Sequence, residues 1–295
     1  MVYLVGESLA FRGLFVFALL LTAWRLWERM RAGQASRLDD FMPSSDAVWS
    51  VTNNIAVMVA NTFIWGAAFA GFFALMNDFW TGALGLEKVA LAAGWPAWAQ
   101  FILALFILDF GNYWSHRLLH RPWMWEIHSL HHSDRHMNCM TAYRIHGLEI
   151  VQMAMVATVI TGWIELPAVV VGAAGALRMW NGFYVHSGLP FDHGRFRKLL
   201  CSPNYHRWHH ADDPAVYGKN LSDMFPLWDI LFDTYHDPGW CDVPTGVSDA
   251  PDDVVRGQLH PFRRYGEWIW AWVRARRDEG VAEERAAEPA RELVD

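Results

Sequence analysis

The chain has 295 residues, a net charge of -7, 53% hydrophobic residues and only 19% charged residues. Soluble domains carry about 25% charged residues, so this composition excludes an intrinsically disordered protein. The negative charge excludes a basic nucleic-acid-binding protein. The sequence contains 18 tryptophans and 14 histidines, and most of the histidines lie between His116 and His210. The histidines are therefore the first candidates for a functional site.

The three cysteines, Cys139, Cys201 and Cys241, are far apart and form no C-x-x-C pair. They predict neither a disulfide framework nor an iron–sulfur cluster. The sequence also lacks the glycine-rich motifs that bind dinucleotides or nucleotide phosphates. We therefore expect the chain to carry no electron carrier of this kind.

Four apolar segments predict membrane spans. Residues 47–77 and 89–108 contain no charged residue, and residues 9–27 and 150–177 contain few. About 20 apolar residues are needed to cross a bilayer as a helix. These segments predict an all-α, polytopic membrane bundle of about four transmembrane segments, in which 150–177 forms a kinked span or a membrane hairpin. The alternative is a large soluble enzyme that buries the same helices.

The basic residues indicate how such a bundle is oriented. Several arginines follow the first apolar segment within residues 25–46, whereas Lys88 is the one basic residue between the second and third segments. The positive-inside rule then places residues 25–46 in the cytoplasm. Counting the crossings places the histidine-rich region there too, so we expect a multi-pass integral membrane protein with a cytosolic helical cap.

The chain divides into three parts on this interpretation. Residues 1–108 form the N-terminal transmembrane helices, and residues 109–240 form the histidine-rich catalytic region with its membrane hairpin. Residues 241–295 form a C-terminal surface helix and a charged tail, which we expect to be disordered because its charges alternate in sign.

Three short motifs contain most of the histidines: H-R-L-L-H, H-S-L-H-H and H-R-W-H-H. Histidines three and four residues apart share one face of a helix, with Cβ atoms about 5–6 Å apart. The three motifs contain His116, His120, His128, His131, His132, His206, His209 and His210.

So many imidazoles are costly to bury together unless a metal holds them in the neutral form. Eight of them suit two metal ions, but imidazole binds zinc, iron and copper alike, so the ligands do not identify the metal. The sequence lacks the E-x-x-H pairs of soluble di-iron bundles and the H-E-x-x-H motif of zinc peptidases. The sequence therefore predicts a dimetal site of another kind.

The order of the three motifs after apolar segments resembles the fatty acid hydroxylase/sterol desaturase superfamily of membrane-bound di-iron oxygenases. The resemblance covers roughly residues 109–235. It includes D-F-G-N-Y-W-S-H around the first motif, M-N-C-M-T-A-Y-R-I-H-G-L-E after the second and Y-G-K-N-L-S-D-M-F-P-L-W-D after the third.

The resemblance implies that the eight motif histidines are metal ligands and catalytic residues. It also implies a further ligand between the second and third motifs, for which we choose His186, with Asn181 as a weaker candidate. His146 is a second candidate ligand or a donor to a ligand, and His193 is either a ligand or a surface residue. We expect His136, His236 and His260 to lie on the surface.

Acidic and tyrosine side chains near the motifs are expected to orient the imidazoles. Asp109 and Tyr113 share a helical face with His116. Glu149, Asp229 and Asp233 are further candidates, although the last two can equally serve as helix caps or salt-bridge partners.

The resemblance further implies two iron ions, O2 as co-substrate and a lipid substrate such as a fatty acyl chain, sterol, ether lipid or carotenoid. Zinc can replace iron in isolated protein. The H-P-G-G motif of an appended cytochrome b5 domain is absent, so we expect an external redox partner of the ferredoxin or cytochrome b5 type, or a reductase. The residues do not separate hydroxylation from desaturation, although the middle segment favours hydroxylation. The alternatives are a membrane metal-binding or transport protein and a zinc-dependent membrane hydrolase without redox chemistry.

Overall fold

The structure is a computed structural model, and it describes residues 45–161, 164–189, 191–247, 250–251 and 253–291. The α-helices of these residues are α1 (Ser45–Asp78), α2 (Ala97–Leu119), α3 (Pro122–His132), α4 (Gly147–Thr161), α5 (Ala168–Val185), α6 (Pro203–His209), α7 (Leu227–Leu231) and α8 (Val254–Arg291).

Short helical turns connect several of these helices. A π-helical turn, Phe79–Ala83, follows α1, and 3₁₀ turns lie at Cys139–Tyr143, Gly194–Phe196 and Pro214–Val216. The described residues contain no β-strand. The predicted all-helical character of the chain therefore agrees with the structure.

The first residues of the histidine-bearing helices are typical helix starts. Helix α3 begins with Pro122, and α6 begins with Pro203 after Ser202, whose side chain accepts a hydrogen bond from the backbone N–H of Tyr205. Proline suits the first helical position because its missing N–H would have no partner there, and serine is a favoured N-cap. These starts place the second and third histidine motifs on helices.

Helix α2 packs between α4 and α5. Ala104 and Leu105 of α2 form a buried cluster with Val170 and Ala174 of α5, and small residues let the two helices approach closely. Farther along, Asp109 of α2 lies beside α5, so residue numbers increase in the same direction along both helices. Both helices therefore carry their histidines at the same end of the bundle.

The prediction of about four transmembrane segments is wrong for the described residues. Within residues 45–161, 164–189, 191–247, 250–251 and 253–291, no helix combines the length and the apolar character that crossing a membrane requires. The first predicted span, residues 9–27, lies outside the described residues. The predicted cytoplasmic orientation rested on counting these segments and stays a prediction.

The local structure explains why the apolar segments do not form spans. Residues 47–77 fall on one helix, but that helix buries Ser50, Asn53, Asn54 and Asn61, which are uncharged yet polar. Residues 89–108 are only half helical, because α2 begins at Ala97 after a proline. Residues 150–177 fall on two helices of 15 and 18 residues. Absence of charge was therefore a poor guide to apolar helix length.

Helix α2 continues through the predicted division at position 108, whereas α8 (Val254–Arg291) lies within the predicted C-terminal part, where we expected a surface helix that passes into a disordered tail. The first two histidines thus stand on the last turns of a helix that begins in the predicted N-terminal part. The division of the chain into three parts stays a prediction.

Candidate metal centre

Four helices, α2, α3, α5 and α6, bring nine histidines together in two groups, in each of which the candidate ligand atoms lie within 4.8 Å of one another. The first group, called the five-histidine group below, is His116, His120, His128, His132 and His209. The second, called the four-histidine group, is His131, His186, His206 and His210. All eight motif histidines and His186 are therefore neighbours in space.

Backbone carbonyls fix the orientation of several rings. The Nδ1 atoms of His116 and His209 lie 2.7 Å from the carbonyl oxygens of Leu221 and Lys219. The Nδ1 of His186 lies 2.6 Å from the carbonyl oxygen of Gly182. Because a carbonyl oxygen only accepts hydrogen bonds, each Nδ1 carries the proton and each Nε2 presents a lone pair.

These lone pairs point at one another. The Nε2 atoms of His116 and His128 are 3.1 Å apart, and the Nε2 of His186 lies 3.1 Å from that of His131 and 3.0 Å from that of His206. A cation between two such atoms removes their repulsion. With a metal–nitrogen distance of about 2.1 Å, two ligands at right angles are about 3.0 Å apart. The donor set and its spacing thus fit a metal in each group.

Further ring nitrogens of the two groups are buried without a hydrogen-bond partner. They are Nε2 of His120, His132 and His209, Nδ1 of His128, His131 and His206, and both ring nitrogens of His210. Buried polar atoms normally have a partner, and a metal ion is one that imidazole nitrogens accept. This observation gives a second reason to expect bound metal.

Burial keeps the imidazoles neutral. It lowers the pKa of all nine histidines, and for His116 and His186 it lowers the pKa to about 4. Neighbouring imidazoles lower most of these pKa values further, because two positive rings repel. Neutral imidazole is the form that binds a metal ion.

The loop that carries the accepting carbonyls is held by two buried aspartates. Asp229 accepts hydrogen bonds of 2.8 Å from the backbone N–H groups of Leu221 and Ser222. Asp109 accepts bonds of 3.1 Å from the backbone N–H groups of Met224 and Phe225. Neither carboxylate bonds to an imidazole directly. They act on His116 and His209 through the loop. The sequence predicted that these side chains orient the imidazoles but did not indicate that a loop lies between them.

Burial shifts the pKa of one of these aspartates. It raises the pKa of Asp109 to about 7, although Arg178 and the bonds from Phe225 and Trp228 act in the opposite direction. Tyr113, expected beside His116, instead hydrogen-bonds through its hydroxyl to Thr234 at 2.9 Å. Tyr113 thus belongs, like the two aspartates, to the residues that surround the histidine groups.

Glu149 is the acidic residue that contacts a candidate ligand. One carboxylate oxygen of this buried side chain lies 3.2 Å from Nδ1 of His128. A carboxylate behind a metal-binding histidine fixes the ring and raises its basicity. Asp233, in contrast, is exposed and stands away from the imidazoles.

A polar network fixes the end of α3, where His131 and His132 stand. Asp134 accepts hydrogen bonds from Ser50 and Asn54 of α1 at 2.7 and 2.8 Å. These bonds and one from Thr141 lower the pKa of Asp134, although its burial alone would raise it. The network explains why α1 carries buried polar side chains: they hold the end of α3, which carries His131 and His132.

A cavity of about 310 Å³ adjoins both histidine groups. Five candidate ligands form part of its wall: His116, His128, His131, His186 and His206. The rest of the wall is mainly apolar, with Leu119, Met153 and Phe183 among its residues, but it includes Arg178 and Asp223. Ligand pockets usually measure about 300–1,000 Å³, so this cavity is large enough for a small molecule beside the histidine groups.

Three other candidate residues lie outside the two groups. His146 is fully buried, with Nε2 at 2.9 Å from the carbonyl oxygen of Gln258 and Nδ1 at 3.0 Å from the N–H of Leu148. Asn181 donates to the carbonyl oxygen of Asp223, and His193 lies 2.7 Å from the hydroxyl of Tyr184.

The expected surface histidines differ from one another. His136 is exposed and His236 is partly buried. His260 is buried, and its Nε2 lies 2.8 Å from a carboxylate oxygen of Glu126. The expectation of a surface position is therefore wrong for this residue. The sequence gave no sign of this pairing because 134 positions separate the two residues.

Comparison with known proteins agrees with the centre that the geometry defines. Residues 101–234 match the family model described as fatty acid hydroxylase. This range contains both histidine groups and the loop that supports them. No solved structure matches the chain.

Several curated proteins are similar to the chain. It is 29% identical over 175 residues to ornithine lipid hydroxylase OlsE of Rhizobium tropici, which covers 58% of this chain and 53% of that protein. It is 26% identical over 205 residues to alkylglycerol monooxygenase of Danio rerio, covering 64% and 40%. It is 30% identical over 170 residues to very-long-chain aldehyde decarbonylase GL1-8 of Oryza sativa subsp. indica, covering 52% and 59%. The chain thus spans about half the length of the curated relatives that it matches.

The helical fold and the paired histidine groups define a helical domain with two buried histidine groups that could each hold a metal ion. Over residues 101–234, which make up less than half of the chain, the sequence is similar to the fatty acid hydroxylase/sterol desaturase superfamily. This confirms the resemblance found in the sequence. The names of the relatives support classification of the matched domain with the oxidoreductases, and the family is associated with membranes.

Proposed function

We propose that the chain is a lipid-modifying oxygenase that hydroxylates or desaturates its substrate at a pair of iron ions held by the nine histidines. The observation that carries the proposal is the placement of two neighbouring imidazole groups at the wall of a largely apolar cavity. The relatives named as a lipid hydroxylase and a monooxygenase support the same reaction class.

The proposed ligands are the eight motif histidines and His186. We leave His146 out of this set because both of its ring nitrogens contact the backbone. Iron bound by these residues would supply activation of O2 and attack on a C–H bond, with electrons from an external donor of the ferredoxin or cytochrome b5 type, or from a reductase.

The chain's own residues prepare the site for that chemistry. Burial keeps the imidazoles neutral, the carbonyls of Lys219 and Leu221 hold the rings of His209 and His116, and Glu149 holds the ring of His128. The largely apolar wall of the cavity favours a hydrocarbon segment over water. A fatty acyl chain, sterol, ether lipid or carotenoid would each present such a segment.

The proposal is tested by comparing the lipids of cells that express the intact chain with those of cells that express His128→Ala. We expect lipids that have gained one oxygen atom, or lost two hydrogen atoms, only with the intact chain and only when O2 is present. His136→Ala is the matched control, because that histidine is exposed and outside both groups. Product formation without O2 would instead support a zinc-dependent hydrolase and overturn the oxygenase.

A further inference from the structure

Helix α8 carries an exposed apolar stripe between residues 255 and 273. The stripe is formed by Val255, Leu259, Phe262, Ile269, Trp270 and Val273. Their spacing of three, four and seven residues places them on one helical face, and between 40% and 66% of each residue's surface is exposed. Gly266 lies on the same face, and a side chain built there would meet no atom within 4 Å. Phe262 approaches the buried ring of His146, with 5.8 Å between the ring centroids, but like the other residues of the stripe it keeps at least 40% of its surface exposed.

The opposite face of α8 is fixed to α3. Arg264 donates to Glu126 at 3.1 Å, and Tyr265 donates through its hydroxyl to the carbonyl oxygen of Trp123 at 3.0 Å. Gly257 stands so close to Leu130 that a β-carbon there would lie 2.4 Å from the leucine side chain. These contacts set the rotation of α8 about its axis, so the stripe faces away from the body of the protein.

The charge of this part of α8 is opposite to that of the whole chain. Between Val255 and Arg277 the one acidic residue is Glu267, whereas the whole chain has a net charge of -7. The basic residues of the same range are Arg256, Arg263, Arg264, Arg274, Arg276 and Arg277. Arg256, Arg263 and Arg274 fall along one edge of the stripe. The first two are 83% and 70% exposed and lie 3.3 Å from Asp253 and 3.8 Å from Glu267, surface ion pairs that contribute little and leave both guanidinium groups open to phosphates.

We propose that α8 lies in the surface of an anionic lipid membrane, with the stripe among the acyl chains and the arginines at the phosphate level. An amphipathic helix with aromatic and aliphatic residues on one side and arginines beside them is the usual form of an interfacial helix. Trp270, within the stripe, is a side chain of the kind that is enriched at membrane interfaces. The arginines beside the stripe favour an anionic lipid surface over an uncharged apolar partner.

The placement bears directly on the histidine centre. Helix α3, to which α8 is fixed, carries three candidate ligands, His128, His131 and His132. The membrane surface would therefore lie one helix away from the centre. This inference identifies where the molecule meets lipid and does not depend on the metal or on the reaction.

A nitroxide label on α8 tests the proposal locally, whatever other parts of the chain do at the membrane. The full-length chain would be labelled at Ile269→Cys or, as a matched control, at Glu267→Cys, and mixed with vesicles of equal parts phosphatidylcholine and phosphatidylglycerol. We expect the label at position 269 to collide several-fold more often with O2 and several-fold less often with a water-soluble nickel complex than it does without vesicles. The label at position 267 should keep its access to the nickel complex. The unvaried chain, with its partly buried Cys139, gives the background.

Charge and apolar contact are separated by two further variants. Replacing Arg256, Arg263 and Arg274 by glutamine should reduce the protection on the anionic vesicles about tenfold or more, with little effect on vesicles of phosphatidylcholine alone. Leu259→Gln with Phe262→Gln should reduce it on both. Protection of position 269 from both reagents in the absence of lipid would show that protein, such as a second copy, covers the stripe. That result, or equal behaviour of the two labels on vesicles, would overturn the proposal.

Discussion

The two histidine groups are held in different ways. In the five-histidine group the Nδ1 atoms of His116 and His209 are bound to backbone carbonyls at 2.7 Å, and that of His128 faces Glu149. In the four-histidine group, among the described residues, His186 makes a comparably short bond, of 2.6 Å to Gly182. One group is therefore fixed by a loop and a carboxylate, whereas the other relies mainly on the helices that carry it.

The groups also differ in their access to open space. His186 borders the cavity of about 310 Å³ and a second cavity of about 210 Å³ on its other side. No residue of the five-histidine group borders the second cavity, within the part of the chain that the structure describes. With one imidazole fewer and cavities on two sides, the four-histidine group is the place where we expect a small molecule to approach a metal.

The largest expected effect comes from removing one ligand from each group. His206→Ala leaves three imidazoles in its group, whereas His120→Ala leaves four. We expect His206→Ala to lose its metal and to reduce product formation by more than ~100-fold, which is the upper range for residues that only support a ligand. His120→Ala should retain about tenfold more activity. Metal content by mass spectrometry and product formation check both variants, and equal losses would contradict the difference between the groups.

Both groups contain buried, neutral imidazoles, and the dependence of the free energy of unfolding on pH tests this shared property. In the folded chain the pKa of His116 and of His186 is lowered to about 4, below the unfolded value of about 6.5. The unfolded chain thus takes up protons first as the pH falls. For the metal-free chain we expect full stability above pH ~6.5 and a loss of about 3 kcal/mol for each of these residues, taken singly, as the pH approaches ~4. Urea unfolding at several pH values measures this slope.

Asp109 gives that experiment an internal check. Its pKa is raised to about 7 by burial, so this carboxyl group has the opposite effect: its stabilising contribution is present at low pH and is lost as the pH rises toward 7. Asp109→Asn removes the opposing contribution. The slope of stability against pH should then become steeper between ~4 and ~7, and a shallower slope would contradict the assignment.

A smaller effect is expected from Asp229→Asn, which acts on one group through the supporting loop. Asp229 accepts bonds from Leu221, Ser222, Tyr205 and Thr234, the last two at 2.6 Å. An asparagine amide nitrogen cannot accept any of them, so we expect a loss of about 2–4 kcal/mol in the free energy of unfolding. Metal should be lost first from the five-histidine group, which the loop holds.

Asp233→Asn is the matched control for that loss. Asp233 is exposed and has a φ angle of 59°, a left-handed conformation that asparagine adopts as readily as aspartate. Thermal unfolding of the two variants should differ by most of the effect expected for Asp229→Asn. A comparable loss at Asp233 would show that the loop is sensitive to any change of charge.

The sequence predicted the composition of the centre better than its support. The three histidine motifs have a local signal, because spacing of three and four residues puts side chains on one helix face. His186 was found by resemblance. The carbonyls of Lys219 and Leu221 left no signal, since every residue has a carbonyl group and its direction depends on the tertiary fold.

The prediction of membrane spans was wrong because it considered charge and not the other polar side chains. Runs without charge suggested spans, but Asn54 and Asn61 of α1 are polar residues that the fold uses internally: Asn61, for example, donates to the carbonyl oxygen of Ile145 at 2.8 Å. Only the positions of distant partners reveal whether an uncharged polar residue is a surface residue or a support. Pairs such as Glu126 and His260 were hidden for the same reason.

The smallest effect in this series is expected from Glu149→Gln. This glutamate and Glu126 are both buried, and each faces a histidine, at 3.2 Å for His128 and 2.8 Å for His260. A glutamine keeps the size of the side chain and an oxygen near Nδ1 of His128 but cannot carry a negative charge. We expect metal affinity to fall about 10-fold, and about 100-fold in Glu149→Ala, which loses the contact with His128 as well. In Glu126→Gln, metal affinity should stay unchanged while the free energy of unfolding falls, because His260 belongs to neither group. Competition with a chelator measures the affinities, and an equal loss at the two glutamates would mean that Glu149 supports the fold and has no particular effect on the ring of His128.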